Sequence, residues 1–174
     1  IVSPSQSSKL AAYSVKADKG NRTSLELPDG TCVILNSASR LSYQTDFGIK
    51  ERRVKLEGEA YFQVKHNEKK EFIVETSDLD VKVLGTVFNV SAYKDSKNIV
   101  VVLLEGKVGV FANGLSHTMK PGEKMEYDKT ARHYSVANVY TKDYVEWTKG
   151  NLYFEKESLE NIMKTFSRIY GVTI

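Results

Sequence analysis

The sequence predicts a mostly β protein: a β-solenoid-like or sandwich-like body of short strands, followed by a small partial β-α-β lobe. Three observations lead there. Between residues 13 and 140 apolar and polar residues alternate in short runs, and no run sustains a 3.6-residue period. The runs end at Gly, Asp, Asn or Pro, the residues that reverse a chain cheaply. After Trp147 the apolar spacing lengthens to that of one helical face.

Residues 1–12 are rich in serine and lack apolar periodicity, which predicts a flexible lead-in. The β domain then occupies 13–146. Within it Val33 and Leu35 share a face, as do Val54 and Leu56, Phe62 and Val64, and Leu79, Val81 and Val83, so each strand buries one side. Residues 99–104 are continuously apolar and predict a strand covered on both faces. Turns are expected at Pro28-Asp29-Gly30, Glu57-Gly58, Glu105-Gly106, Asn113-Gly114 and Pro121-Gly122, each of which supplies a residue tolerant of positive φ. The strings LEGEAYFQV (56–64) and LEGKVGVFA (104–112) share Leu-Glu-Gly, a hint of coiled repetition.

The lobe occupies 147–174. Residues 151–154 read as a strand, and Leu159, Ile162, Met163, Phe166, Ile169 and Tyr170 form a helical stripe that starts near Glu157 or Ser158 and stops at a Gly171 cap. A second strand is expected at 172–174. The chain opens without a secretion signal and closes on that strand without a polar tail, so the expectation is a piece of a longer protein with its last lobe truncated.

With 174 residues, 41% of them hydrophobic and 27% charged, the chain can bury one full core. Its 25 basic and 22 acidic residues leave a net charge of +3. Those charges are interleaved. The run 50–53 contains Glu51, and Lys69 and Lys70 lie between Glu68 and Glu71, which predicts solvated turns. No nucleic-acid partner is implied, because phosphate binding needs positive charge gathered on one face. No run approaches the ~20 apolar residues of a membrane span, so any membrane anchor is expected upstream. Cys32 is the sole cysteine, which rules out an internal disulfide and predicts a strand residue rather than a nucleophile.

The sequence holds no GxSxG, GxGxxG, GxxxxGK[ST], HExxH or CxxC motif. His66, His117 and His133 are scattered in loop-like contexts without metal-ligand spacing, and no metal or other cofactor is implied. Glu57 and Glu59 flank Gly58 and read as surface charges or turn acceptors. A solenoid hydrolase or lyase would need convergent acids. Phe62, Phe72, Phe88 and Phe111 have core spacing, whereas Tyr43, Tyr93, Tyr127 and Tyr134 are candidates for an exposed strip. That strip sustains an alternative reading, a carbohydrate-binding β module.

Six strings in fixed order carry a resemblance: LPDGT (27–31), LNSASRLSY (35–43), RRVKLEGEAYFQV (52–64), VLGTVFNVSAY (83–93), LLEGKVGV (103–110) and KPGE (120–123). Trp147 followed by GNLYF, the helix and YGVTI extends it, so that about residues 20–174 resemble the FecR family of transmembrane anti-sigma sensors. The resemblance implies the periplasmic part of a Gram-negative inner-membrane protein. In such a protein a cytoplasmic segment, absent here, binds an extracytoplasmic-function sigma factor, and the periplasmic part receives a signal from the N-terminal signalling domain of a TonB-dependent receptor. It also implies a lobe similar to the secretin and TonB short N-terminal domain, and a protein that is not an enzyme.

The motif residues take structural roles under this reading. Asp29 and Gly30 turn the chain, and Gly58, Gly85, Gly106, Pro121 and Gly122 shape tight paths. Phe62, Phe88 and Val90 fill the interior, while Glu59, Thr86 and Trp147 complete the motif set. The partner surface is expected at the strand edge of Asn151, Leu152, Tyr153 and Phe154 and on the polar helix side at Asn161, Lys164 and Arg168, because strand edges invite β-augmentation.

Overall fold

The computed structural model describes residues 11–112 and 114–173. Most of the expected lead-in, Asn113 of the 113–114 turn and Ile174 lie outside them. The architecture is organised by β5 (Arg52–Gln63), whose inward side chains Val54, Leu56, Ala60 and Phe62 alternate with polar residues and are all at most 1% exposed. The first part of β5 pairs antiparallel with β4 (Ser39–Gln44) and parallel with β6 (Phe72–Glu75). Its second part pairs antiparallel with β3 (Cys32–Leu35) and β8 (Val87–Ala92). One arm of the sheet continues from β6 through β7 (Asp80–Val83) and β10 (Val108–Ala112) to β11 (Leu115–Met119), with β1 (Ala12–Ala17) on β4. The other continues from β8 through β9 (Asn98–Glu105) and β12 (Glu123–Asp128) to β13 (His133–Asn138), with β2 (Thr23–Glu26) on β3.

The two arms curl over a single core in a half-barrel. Phe62 stacks on Phe88 with ring centroids 5.0 Å apart and meets Phe72 edge-on at 6.0 Å, which ties the arms together near β5. At the far ends His117 of β11 lies 5.4 Å from Tyr134 of β13. Between them Leu35, Leu41, Leu103, Val110, Met119 and Met125 are fully buried. The mostly β class is therefore what the chain adopts, and every inward pair read from the alternation is buried. In β9 Val101, Val102 and Leu103 are buried on both faces, as the unbroken apolar run requires.

Several expectations change. Gly58 ends no strand: with φ 102° it bends β5 in mid-course, whereas Gly106 sits in the turn between β9 and β10, so the Leu-Glu-Gly echo has no structural counterpart. Phe111 is 38% exposed, because it faces outward on β10 under the Lys82 ammonium, 4.8 Å from the ring centroid. His117 and His133 lie in β11 and β13, not in loops, and the Nε2 of His117 is buried. Tyr93 and Tyr127 are buried, so the four tyrosines form no exposed strip. Cys32 is the outward residue of its strand.

The largest departure is Arg52. The 50–53 run is no solvated turn, since Arg52 is 2% exposed and is one of the largest fully enclosed side chains in the molecule. Its guanidinium donates to the carbonyls of Lys65 (2.7 Å), Lys70 (2.6 and 3.0 Å) and Leu84 (3.2 Å) and to Asp29 Oδ2 (3.1 Å). Asp29 also accepts from the Thr31 amide and hydroxyl at 3.0 and 2.9 Å. The LPDGT turn, the 65–70 loop and the 84–86 loop are thus joined through one planar fork, a geometry that lysine does not supply. Next to it Gly85 lets the chain approach His66 so closely that a Cβ would fall 2.7 Å from the His66 Cα.

Candidate functional site

The C-terminal segment crosses the outer face of the β8–β9–β12 arm. It begins with a 3-10 helix, Asp143–Lys149, whose Trp147 is the only residue of the turn to be buried. The indole Nε1 donates to Asn89 Oδ1 at 3.2 Å, and the Arg22 guanidinium donates to the Trp147 carbonyl. Gly150 closes the helix in the left-handed conformation, and Asn151 binds back to Glu146 through its backbone amide (3.2 Å) and side chain (2.7 Å). Residues 152–154 then join no ladder.

The strand expected at 151–154 is therefore absent. Its residues are fixed by side chains instead: Tyr153 packs edge-on to Tyr144 at 5.4 Å and Phe154 to Phe166 at 5.9 Å. Residues 172 and 173 form no strand either, so the lobe holds one helix, α1 (Leu159–Tyr170), with no flanking strands among the described residues. Helix α1 starts as expected at Ser158, whose side chain accepts from the Asn161 amide at 3.2 Å, and ends at Gly171 with φ 66°.

The helix meets the body with polar groups. Arg168 places its guanidinium 3.9 Å from the Tyr93 ring centroid and pairs with Asp95 at 3.1 Å. Lys164 donates to the Asp95 carbonyl at 3.1 Å, and the Gly20 amide donates to the Arg168 carbonyl at 2.9 Å. Asn161 donates to Glu157 at 2.9 Å. No residue of α1 is buried, and the ends of its apolar stripe, Leu159 and Tyr170, are 74% and 65% exposed. Ile162, Met163, Phe166 and Ile169 between them are half-buried, so the apolar stripe is open at its two ends.

Beneath this segment lies Glu59. Against the expectation of a surface or turn acid, Gly58 turns it onto the sheet face, where Asn36 and Asn89 donate to its two oxygens at 2.8 and 2.9 Å. Asn89 thereby links Glu59 to Trp147. Burial raises the Glu59 pKa above the ordinary glutamate value, against the two amides and the Arg168 charge, which lower it. Burial also pushes the Tyr93 phenol up, reinforced by the Glu59 charge, and its hydroxyl donates to the Ser37 carbonyl at 2.9 Å.

A glutamate whose pKa is higher in the folded than in the unfolded chain contributes stability below its unfolded pKa and loses that contribution as pH rises through the folded one. The stability of the wild type relative to Glu59→Gln should accordingly fall between pH 4 and pH 8. Urea unfolding of both proteins at the two pH values checks this, and a difference that stays constant or grows contradicts it.

The remaining motif residues serve the scaffold. Thr86 donates to the Lys107 carbonyl at 3.0 Å, and Pro121 and Gly122 turn the chain into β12, with the Gly122 amide donating to the Leu103 carbonyl at 3.0 Å. Sequence reading missed Arg52, Asn36, Asn89 and the Tyr93–Asp95 corner. The only available signal was the polar Asn89 within the apolar VFNV run. Among the described residues no group of His, Cys, Asp and Glu is placed to hold a metal ion, and no helix is long and apolar enough to cross a membrane.

The site thus consists of a curled β body that carries one helix docked through polar groups. The profile of the FecR protein family matches residues 13–109. Two crystal structures of a candidate anti-sigma factor from Parabacteroides distasonis ATCC 8503 superpose with TM-scores of 0.89 and 0.88, each at 33% sequence identity. The similarity covers 92% and 91% of this chain and 76% and 75% of those chains. No curated protein matches the sequence. The chain belongs to the FecR family of anti-sigma sensors.

Proposed function

We propose that this chain is the periplasmic, signal-receiving part of an inner-membrane anti-sigma protein with its membrane anchor upstream. Its partner is the N-terminal signalling domain of a TonB-dependent receptor, and the signal passes to an extracytoplasmic-function sigma factor held by a cytoplasmic segment. The domain acts by binding and not by catalysis. The observation that supports this most is α1: an apolar stripe with exposed ends at Leu159 and Tyr170, beside Asn151, Leu152, Tyr153 and Phe154, which have no ladder partner. A neighbouring domain can cover those ends and pair with the 151–154 segment at once. On the other side of the helix Lys164 and Arg168 set its angle against the body through Asp95, and Asn161 borders the same surface.

Titration calorimetry against the receptor's signalling domain tests the reading. Binding is expected, and Leu159→Asp combined with Tyr170→Asp should weaken it by about tenfold or more, since both side chains are exposed and their replacement leaves the fold intact. Absence of heat together with absence of co-elution would overturn it.

A further inference from the structure

Between the sheet and the C-terminal segment lies a cleft of about 730 Å³, within the range of small-ligand sites. Its floor is built by register. Glu59 of β5 stands opposite Ser91 of β8, Ser91 opposite Val100 of β9, and Val100 opposite Glu126 of β12. One row along, Asn89 faces Val102 and Val102 faces Lys124. Trp147, Tyr144 and Tyr153 form the aromatic wall.

Two features of the lining define the chemistry of an occupant. Three of the four basic groups of the lining are held by acids: Lys97 by Asp128 at 2.8 Å, Lys124 by Glu126 at 2.9 Å, and Arg168 by Asp95 at 3.1 Å. An anionic ligand would have to break such pairs. Acceptors, by contrast, remain open. Asn98 lines the cleft with its Oδ1 buried and without a hydrogen-bond partner, and each Glu59 oxygen accepts a single amide, which leaves further lone pairs. Hydroxyl donors set against aromatic faces satisfy both features.

We propose that this cleft binds a neutral oligosaccharide of two or three sugar units, with hydroxyls donating to Asn98 and Glu59 and a sugar face resting on Tyr153. This site borders α1, whose Ile169 lines it, and differs from the Tyr43, Tyr93, Tyr127 and Tyr134 set, which does not assemble.

Trp147 is the only tryptophan of the chain and lines the cleft, so its fluorescence reports occupancy. The 174-residue chain is titrated with maltotriose, cellotriose, xylotriose and N,N′-diacetylchitobiose, and with trigalacturonate and spermidine as charged probes, each to ~10 mM, enough to reveal millimolar affinity. At least one neutral probe should bind. Tyr153→Ala should weaken it about tenfold, the equivalent of one lost stacking contact, while the exposed Tyr140→Ala should not. Asn98→Ala should also weaken binding while leaving the urea midpoint unchanged or raised, because it removes an acceptor that is unsatisfied without ligand. Binding by none of the neutral probes, binding by the charged probes alone, or binding indifferent to both Tyr153→Ala and Asn98→Ala overturns the proposal.

Discussion

Arg52→Ala is expected to destabilise the protein by about 3–5 kcal/mol, the range for removing one partner of a buried ion pair. The loss exceeds that of a surface ion pair because the side chain is enclosed and bonded to three carbonyls as well as to Asp29. Once it is gone, Asp29 loses its ion-pair partner, and the Lys65, Lys70 and Leu84 carbonyls lose a buried donor. Thermal unfolding followed by circular dichroism should show a fall of about 8–15 °C for a chain of this length. Arg52→Lys retains the charge without the fork and should fall between the two. Equal stability of Arg52→Ala and wild type would refute the account.

The second large effect is expected at Gly58. A Cβ there would lie 2.3 Å from Ser39 Oγ and 2.8 Å from the Ser39 Cα, and the backbone sits at φ 102°. The Ser39 hydroxyl cannot simply rotate away, since it accepts from the Glu59 amide at 2.9 Å. Gly58→Ala combines backbone strain with overpacking and should cost about 2–5 kcal/mol. Gly114 supplies the control, with φ 76° and open space around it, so that Gly114→Ala should cost only about 1–2 kcal/mol. Chemical denaturation of both variants separates the two contributions, and a Gly58→Ala cost no larger than the Gly114→Ala cost would remove the role assigned to the contact.

What could be read in the sequence was what depends on period. Val54, Leu56 and Phe62, or Leu79, Val81 and Val83, announce a buried face through alternation alone, because a strand sends every second side chain to the same side. The Ser158 cap and the Gly171 stop were equally legible, since both act on their own backbone. The FecR strings added the family, which no periodicity carries. Arg52 was not legible, because its partners lie on three separate segments and nothing within the 50–53 run distinguishes it from its charged neighbours. Glu59 was misread for a related reason: its surroundings come from Asn36 and Asn89, distant in sequence and brought near by β3 and β8. The strand expected at 151–154 shows the opposite limit. Local composition favours a strand there, but whether a segment enters a ladder depends on an available neighbour.

Because β5 pairs with four other strands, two encoded before it and two after, its surroundings exist only once the chain from β3 through β8 has come together. Partners so far apart along the polypeptide impose a high contact order, which slows folding through the entropy of loop closure. As the chain emerges into the compartment where it folds, β5 waits half-paired for β8 to follow, and until then its one apolar face is open to the wrong neighbour.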